Sequence, residues 1–444
     1  MSKKYLFSTL EVRKGKLCAS QENRKINKNK SLVIRLLNKD LSFILIKKIF
    51  IGGRVKIKRC GAIHSYIIKG EYIYLPYNYA KRIVGLEYVN KKYINIELSM
   101  NVKLRPKQIE ARDTAMVYLK KTGSVTLALY TGFGKSIVSL NLAIALGVPI
   151  LIICIGNILS NGWLNLLNKY TDARSWLVGS ELTESVNIIV CPMSKMHMLS
   201  EEYLSNFGTV IIDEVHEMCT KIRIHKLLNL TPRYIIACSA TPDKDDGSDI
   251  MYKYICGDHR VTVKDNRPLT IIKFNTGMHP DPNLKWEDLL TYLYHSNKRN
   301  NLVLDIVNNN PKKKILILTW RVSHVNILYD LLSINGKSVD FLHSSKTEYN
   351  DSDVLVGTVS KIGTGFDEEN ICNNFKGKRL NMVIFLSTSK SKNLITQAIG
   401  RVRRADNPSV VFFCDNSKII RRHWTLLRKV FPNASYEHVK IFDQ

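Results

Sequence analysis

The sequence predicts an α/β protein: two successive parallel-sheet units preceded by a small basic segment built mainly of strands. Three observations predict it. From about residue 101, short and nearly continuous apolar runs alternate with helical stretches, as expected of parallel strands buried on both faces. The same alternation restarts near residue 268, which makes two such units in tandem. Ahead of both, residues 1–100 hold 22 Lys and Arg against 6 Asp and Glu, so this segment carries +16 of the chain's +28. The expected division is 1–100, 101–262 and 263–444, and a chain of 444 residues can bury a core in each of two or three domains.

Within the basic segment, "FILIKKIFIGGRVKIKRCG" has two apolar runs flanking Gly52-Gly53, a hairpin signal. Past that turn Arg54, Lys56 and Lys58 alternate with Val55 and Ile57, which puts the three cations on one face of a strand. "EYIYLPYNYA" gathers Tyr72, Tyr74, Tyr77 and Tyr79. Aromatics beside cations can stack bases, but packing into a core is the favoured reading here. In the first unit "SVTLALY", "VPILIICIG", "VNIIVCP", "GTVIIDE" and "RYIIACSATP" read as strands, and "SIVSLNLAIAL" as a helix. The second unit repeats the theme with "LTIIKF", "KKILILTW", "DVLVGTV", "LNMVIFL" and "SVVFFC". Between the two, "PDKDDGSD" reads as a polar, exposed connection.

Composition excludes several classes. No apolar run is long enough to span a bilayer, and the lysine-led N-terminus lacks the apolar stretch and cleavage site of a secretion signal. The nine cysteines are scattered without a C-x-x-C pair, which fits reduced core thiols of a cytoplasmic protein better than disulfides or zinc. The excess of positive charge points to a polyanion partner, since basic surfaces gain affinity by releasing counterions from phosphates.

The chemistry begins at "ALYTGFGKSIVSL". Thr131, Gly132, Phe133, Gly134, Lys135 and Ser136 fit the phosphate-binding pattern Gly-x-x-x-x-Gly-Lys-Ser/Thr except that Leu129 replaces the first glycine. The loop follows an apolar strand and opens a helix, so its backbone N–H groups can cradle phosphate oxygens. Lys135 can reach the β- and γ-phosphates and Ser136 can ligate Mg²⁺. Downstream, "TVIIDEVH" ends a buried strand in two acids. Asp213 can hold Mg²⁺ through its waters, and Glu214 can accept a proton from water attacking the γ-phosphate. In "QAIGRVRR", Arg401 and Arg404 lie three apart, so on a helix they share a face and can stabilise charge on the transferring phosphoryl group.

These pieces, in this order, resemble the superfamily 2 nucleic-acid helicases and translocases, with two RecA-like domains, over roughly residues 101–415. "LRPKQIEA" resembles the adenine-recognition segment, which implicates Arg105 and Gln108. "TGFGKS" resembles motif I and "DEVH" motif II. "SAT" resembles motif III, so the resemblance implies that Ser239, Ala240 and Thr241 couple hydrolysis to strand separation. "GTVSKIGTGFD" resembles motif V and carries over to Thr358 as a nucleic-acid contact and to Gly365 and Asp367 at the nucleotide. "QAIGRVRR" resembles motif VI, with Gln397 joining the two arginines. His216 is either the link from motif II to motif III that the resemblance implies or a simple loop hydrogen bond. Trp163 reads as helix packing.

The resemblance implies ATP and Mg²⁺ as cofactors, and a catalytic set of Lys135, Asp213, Glu214, Gln397, Arg401 and Arg404. Within the superfamily it is nearest to phage branch-migration and fork-remodelling helicases and to transcript-release helicases of large DNA viruses. That implies single-stranded, forked or branched DNA as partner, with Arg54, Lys56 and Lys58 as candidate contacts, and host cytoplasm if viral. Two alternatives stand beside this reading: a transcript-release or RNA-directed helicase, and a non-catalytic nucleotide-gated DNA-binding clamp.

Overall fold

The computed structural model describes residues 10–13, 16–19, 42–51, 54–69, 72–84, 93–182, 185–244, 247–343, 346, 348–363, 366, 368–386 and 391–440. Before residue 63, and at 69, 72, 73, 83, 84, 363, 370 and 440, it describes the backbone alone. The chain forms two compact units, residues 1–129 with 133–263, and residues 130–132 with 264–444.

The basic segment folds with the first unit. Four short strands, Leu10–Arg13, Lys16–Ala19, Tyr72–Tyr74 and Ile67–Lys69, make an antiparallel sheet in that order. Strands Ser42–Ile51 and Arg54–His64 pair antiparallel with Ile51 opposite Arg54, the register of the expected hairpin; Gly52 and Gly53 lie outside the described residues. Arg54, Lys56 and Lys58 fall opposite Ile51, Ile49 and Lys47, and their side chains lie outside the described residues. The tyrosines divide differently from one strand: after Pro76 the chain turns into a helix, Tyr77–Val84, because proline suits the entry to a helix and ends a ladder. Tyr74 and Tyr79 are buried, and Tyr79 meets Tyr254 edge-on at 5.9 Å, so these two pack. Lys81 Nζ donates to the carbonyl of Thr122 at 2.9 Å, and a ring nitrogen of His225 meets the His64 carbonyl at 2.6 Å.

The first unit is built on a seven-stranded sheet. Its strands are β1 (Ser124–Leu129), β2 (Ile150–Cys154), β3 (Ser175–Leu177), β4 (Ile188–Pro192), β5 (Thr209–Ile212), β6 (Tyr234–Ser239) and β7 (Arg260–Val263), in the spatial order β7-β1-β6-β5-β2-β4-β3. Every pairing is parallel. Every residue of β1, β2, β4 and β5 is buried. That is why these segments read as unbroken apolar runs, each large side chain contributing roughly 1.5–3 kcal/mol. The helices that matter for the site are α1 (Pro106–Thr122), α2 (Lys135–Ala145) and α3 (Gly156–Tyr170). The "PDKDDGSD" segment is not a connection between units. Ser248 and Asp249 are buried, Asp249 pairs with Lys253 at 2.8 Å, and the chain returns to add β7 to the first sheet.

The second unit repeats the plan with β8 (Thr270–Asn275), β9 (Ile315–Thr319), β10 (Val339–Leu342), β11 (Val354–Thr358), β12 (Met382–Phe385), β13 (Ser409–Cys414) and β14 (Ser435–Lys440). These seven strands are again all parallel, in the order β10-β11-β9-β12-β13-β8-β14. At its centre Arg299 and Asp415, both wholly buried, form a two-pronged pair at 3.0 Å on each prong. Thr276 Oγ1 donates to the same carboxylate at 2.6 Å, and the guanidinium also donates to the Leu386 carbonyl.

The seven cysteines whose side chains are described, from Cys154 to Cys414, are buried and unbridged. Among the described residues no helix is long and apolar enough to cross a membrane.

Candidate active site

Strands β1, β6 and β5 are neighbours, and the candidate groups of the first unit sit at or just past their carboxyl ends. In open parallel sheets this is the edge at which ligands bind. Past β1 the chain makes the glycine loop and then enters α2. Gly132 has φ 85° and Gly134 φ 95°, left-handed values that glycine alone adopts at little cost. A Cβ on Gly134 would also lie 2.4 Å from Gln108 Nε2. Lys135 is the first residue of α2 and Ser136 the second, with no acid in that first turn, so the positive end of the helix faces the loop.

The "LRPKQ" segment reaches the loop from outside it. Pro106 opens α1, and the Arg105 backbone N–H donates to Gln108 Oε1 at 2.9 Å, which stops the helix start from fraying. The other end of the Gln108 amide donates to the Phe133 carbonyl at 2.8 Å, and the Arg105 guanidinium donates to the same oxygen. Gln108 is buried, so the pair fixes the loop backbone from a rigid helix start.

Asp213 follows β5 and is buried. Burial and the neighbouring Glu214 carboxylate push it up to about 6, against the Trp163 hydrogen bond and the Lys135 charge, which both pull it down. Trp163, on α3, donates from its indole Nε1 to Asp213 Oδ2 at 3.0 Å, while the Glu214 backbone N–H donates to Oδ1 at 3.0 Å. Helix packing was the expectation for Trp163. It is buried as expected, and it also orients the carboxylate, a role its apolar sequence neighbours could not disclose. Glu214 sits at φ 48°, ψ 51°, a left-handed conformation that costs a side-chain-bearing residue on the order of 1 kcal/mol.

His216 is buried, and burial drops its pKa to about 4, so the imidazole is neutral near pH 7. Its Nδ1 meets Ser239 Oγ at 2.8 Å and lies 3.4 Å from Glu214 Oε2. Ser239 Oγ in turn accepts from the Thr241 backbone N–H at 3.0 Å. This contact joins the turn after β5 to the end of β6. Ala240 lies between these partners in the turn after β6.

In the second unit, α4 (Lys392–Val402) begins at Ser391, whose Oγ accepts from the Leu394 N–H at 3.4 Å. Gln397 and Arg401 are on it and buried, with the Arg401 guanidinium 5.9 Å from the Phe366 ring centre. Arg404 does not share that helix face. The helix ends at Val402, so Arg404 lies in the turn beyond. Arg403 caps the end, paired to Asp265 at 3.2 Å, and Arg267 binds the same carboxylate at 2.8 Å. That cluster ties the "VRR" turn to the start of the unit, and nothing in the spacing of the sequence signalled Asp265. Thr358 ends β11 and is buried. Gly365 and Asp367 lie outside the described residues.

Residues 101–244 match the family described as type III restriction enzyme, res subunit. The candidate helicase 161L of Invertebrate iridescent virus 6 is 29% identical over 399 residues, 81% of this chain and 88% of that one. The candidate helicase 055L of Frog virus 3 is 26% identical over 367 residues, 79% of this chain and 82% of that one. Two relatives have names that state a polymer. One is the candidate ATP-dependent RNA helicase L396 of Acanthamoeba polyphaga mimivirus, 23% identical over 77% of this chain and 70% of that one. The other is the DNA 3'-5' translocase XPB2 of Sulfurisphaera tokodaii, 29% identical over 157 residues, 35% of each chain. The structure of S. cerevisiae Dbp5 bound to RNA and ADP BeF3 superposes with a TM-score of 0.52 at 14% identity, covering 76% of this chain and 94% of that one. At that identity the likeness speaks to the fold: RecA-like parallel-sheet domains in tandem. Together these likenesses support a superfamily 2 helicase, an ATP-using enzyme.

Proposed function

We propose that the chain is a Mg²⁺-dependent, nucleic-acid-stimulated ATPase that translocates on or separates strands of DNA, acting on forked or branched DNA. The observation that carries the reading is the convergence of the Lys135 loop, Asp213 with Glu214, and Ser239 at the carboxyl ends of three adjacent strands. Lys135 and the N–H groups of Gly132 to Ser136 bind the phosphates, with Arg105 and Gln108 beside them at the base. Ser136 Oγ and the Asp213 carboxylate are hard oxygen donors of the kind Mg²⁺ takes, and an ion there supplies charge neutralisation at the phosphates. Glu214 orients and deprotonates the attacking water. Gln397, Arg401 and Arg404 stabilise the charge that develops on the γ-phosphoryl oxygens. Gly365 and Asp367 complete the nucleotide contacts, and His216 with Ser239, Ala240 and Thr241 passes the state of the site to the bound strand.

DNA is preferred over RNA on the likeness to a relative named as a DNA translocase, while the +16 carried by residues 1–100, which includes Arg54, Lys56 and Lys58, supports a nucleic-acid polyanion of either kind. Thr358 contacts the strand in the second unit. The host cytoplasm is the proposed location. A second reading, RNA as the polymer, is favoured by the likeness to a relative named as an RNA helicase. A nucleotide-gated clamp would need no water-activating Glu214. The test is Lys135→Ala, which should abolish hydrolysis and leave DNA binding largely intact; loss of both together would give the loop a structural role instead.

A further inference from the structure

Helix α5 (Lys418–Val430) in the second unit is built as two opposed faces. Ile420, His423, Trp424 and Leu427 are buried, His423 and Trp424 packing on Trp286 and Phe412 at ring distances of 5.2 and 5.3 Å. Lys418, Arg421, Arg422, Arg428 and Lys429 are all exposed. At 3.6 residues per turn these five cations fall within an arc of about 120°, a stripe about 17 Å long.

Arg428 and Lys429 lie in the last turn and suit the helix dipole, but local energetics do not explain Lys418, Arg421 and Arg422. Lys418 and Arg422 are like charges one turn apart, which weakens an isolated helix by a few tenths of a kcal/mol. Three of the five crowd the first turns, where the helix dipole disfavours positive charge, and the first turn has no acid. Among the described residues, none of the five forms an ion pair with a carboxylate; Arg421 binds the Asn416 side-chain oxygen and Arg428 lies 5.7 Å over the Tyr436 ring. The geometry points to an external polyanion that supplies the missing negative charge.

We infer that the α5 stripe binds the phosphodiester backbone of a nucleic acid, at a site separate from the motif residues described above. One strand of a duplex advances about 3.4 Å per nucleotide. The stripe therefore spans the axial rise of about five nucleotides, and a rigid helix presents its cations to that stretch of backbone without ordering any loop. The inference rests on the proposed nucleic-acid reading and adds to it a surface that holds the polymer independently of the ATP state.

The test compares wild type with Arg421→Gln/Arg422→Gln/Arg428→Gln and with Lys418→Gln/Lys429→Gln. Binding to fluorescent duplex DNA, single-stranded DNA and RNA is measured over a range of salt concentrations. The expected result is that the triple variant lowers the slope of log affinity against log salt by roughly 2 to 3 on duplex DNA and weakens binding at least about tenfold. The double variant should lower the slope by roughly 1 to 2, and polymer-free ATPase should not change in either. Unchanged slope and affinity in both variants, with wild type binding normally, would overturn the stripe alone. Wild type that binds no polymer at any salt would overturn the nucleic-acid reading beneath it. Loss of binding to phosphatidylserine vesicles with nucleic-acid binding intact would overturn it in favour of a lipid surface.

Discussion

The Trp163 indole N–H and Asp213 Oδ2, 50 residues apart in sequence, meet at 3.0 Å inside the first unit. The bond favours the ionised carboxylate, which burial and Glu214 disfavour. Trp163→Phe keeps the ring packing and removes the donor, so Asp213 should rise further above about 6. In the proposed function the ionised form serves at the cation, and on that reading the acid limb of the ATPase pH profile should move to higher pH and the rate near pH 7 should fall. A profile that does not move would deny Asp213 that role. The sign for stability is opposite. With its folded pKa above the unfolded value near 4, Asp213 favours folding at low pH, and that contribution is lost as pH rises through about 6.

Glu214 combines a left-handed backbone with the proposed role of general base. Glu214→Gln should cut hydrolysis by roughly 10²-fold or more while nucleotide binding persists, as expected when a general base is removed. Glu214→Gly should be equally inactive yet more stable, by on the order of 1 kcal/mol, since glycine relieves the left-handed φ of 48°. Steady-state ATPase and denaturant melts of the two variants separate the effects.

The His216–Ser239 contact at 2.8 Å joins the helical turn after β5 to the end of β6 through a neutral imidazole, since burial holds His216 near 4. Ser239→Ala should leave basal ATPase within about threefold of wild type and depress stimulation by polymer, with no new ionisation between pH 5 and 8. Equal losses of basal and stimulated rates would reduce the contact to simple support of the site.

Asp415 stands apart from the nucleotide chemistry. Asp415→Ala leaves the Arg299 guanidinium buried and unpaired at 0% exposure, which costs on the order of 3 to 5 kcal/mol. Thermal melting should show the second unit unfolding at a markedly lower temperature, while the first unit keeps its transition.

The central strands and the glycine loop between β1 and α2 were legible because their physics is local. Strands buried on both faces must be apolar throughout, and a loop folded around phosphate must place glycines at positive φ. Four edge strands (β3, β7, β10 and β14) escaped this reading. They are half exposed, as the alternation in Val339–Leu342 and the polar Ser435–Lys440 show. The Trp163–Asp213 bond and the Arg403–Asp265 pair were hidden for another reason. Each joins residues distant in sequence, and only the packed fold decides which partner a buried donor finds. Arg404 was assigned to a helix face by spacing alone, and the helix stops two residues before it.

The most direct test of the central claim is the ATPase rate of the purified chain at one fixed salt concentration. It is measured with no polymer and with single-stranded, duplex, forked and four-way DNA and RNA. The account predicts strong stimulation, greatest with single-stranded or branched DNA, and none in Lys135→Ala. Stimulation by RNA above every DNA would contradict the assigned polymer, and absence of hydrolysis with all of them would contradict the enzyme.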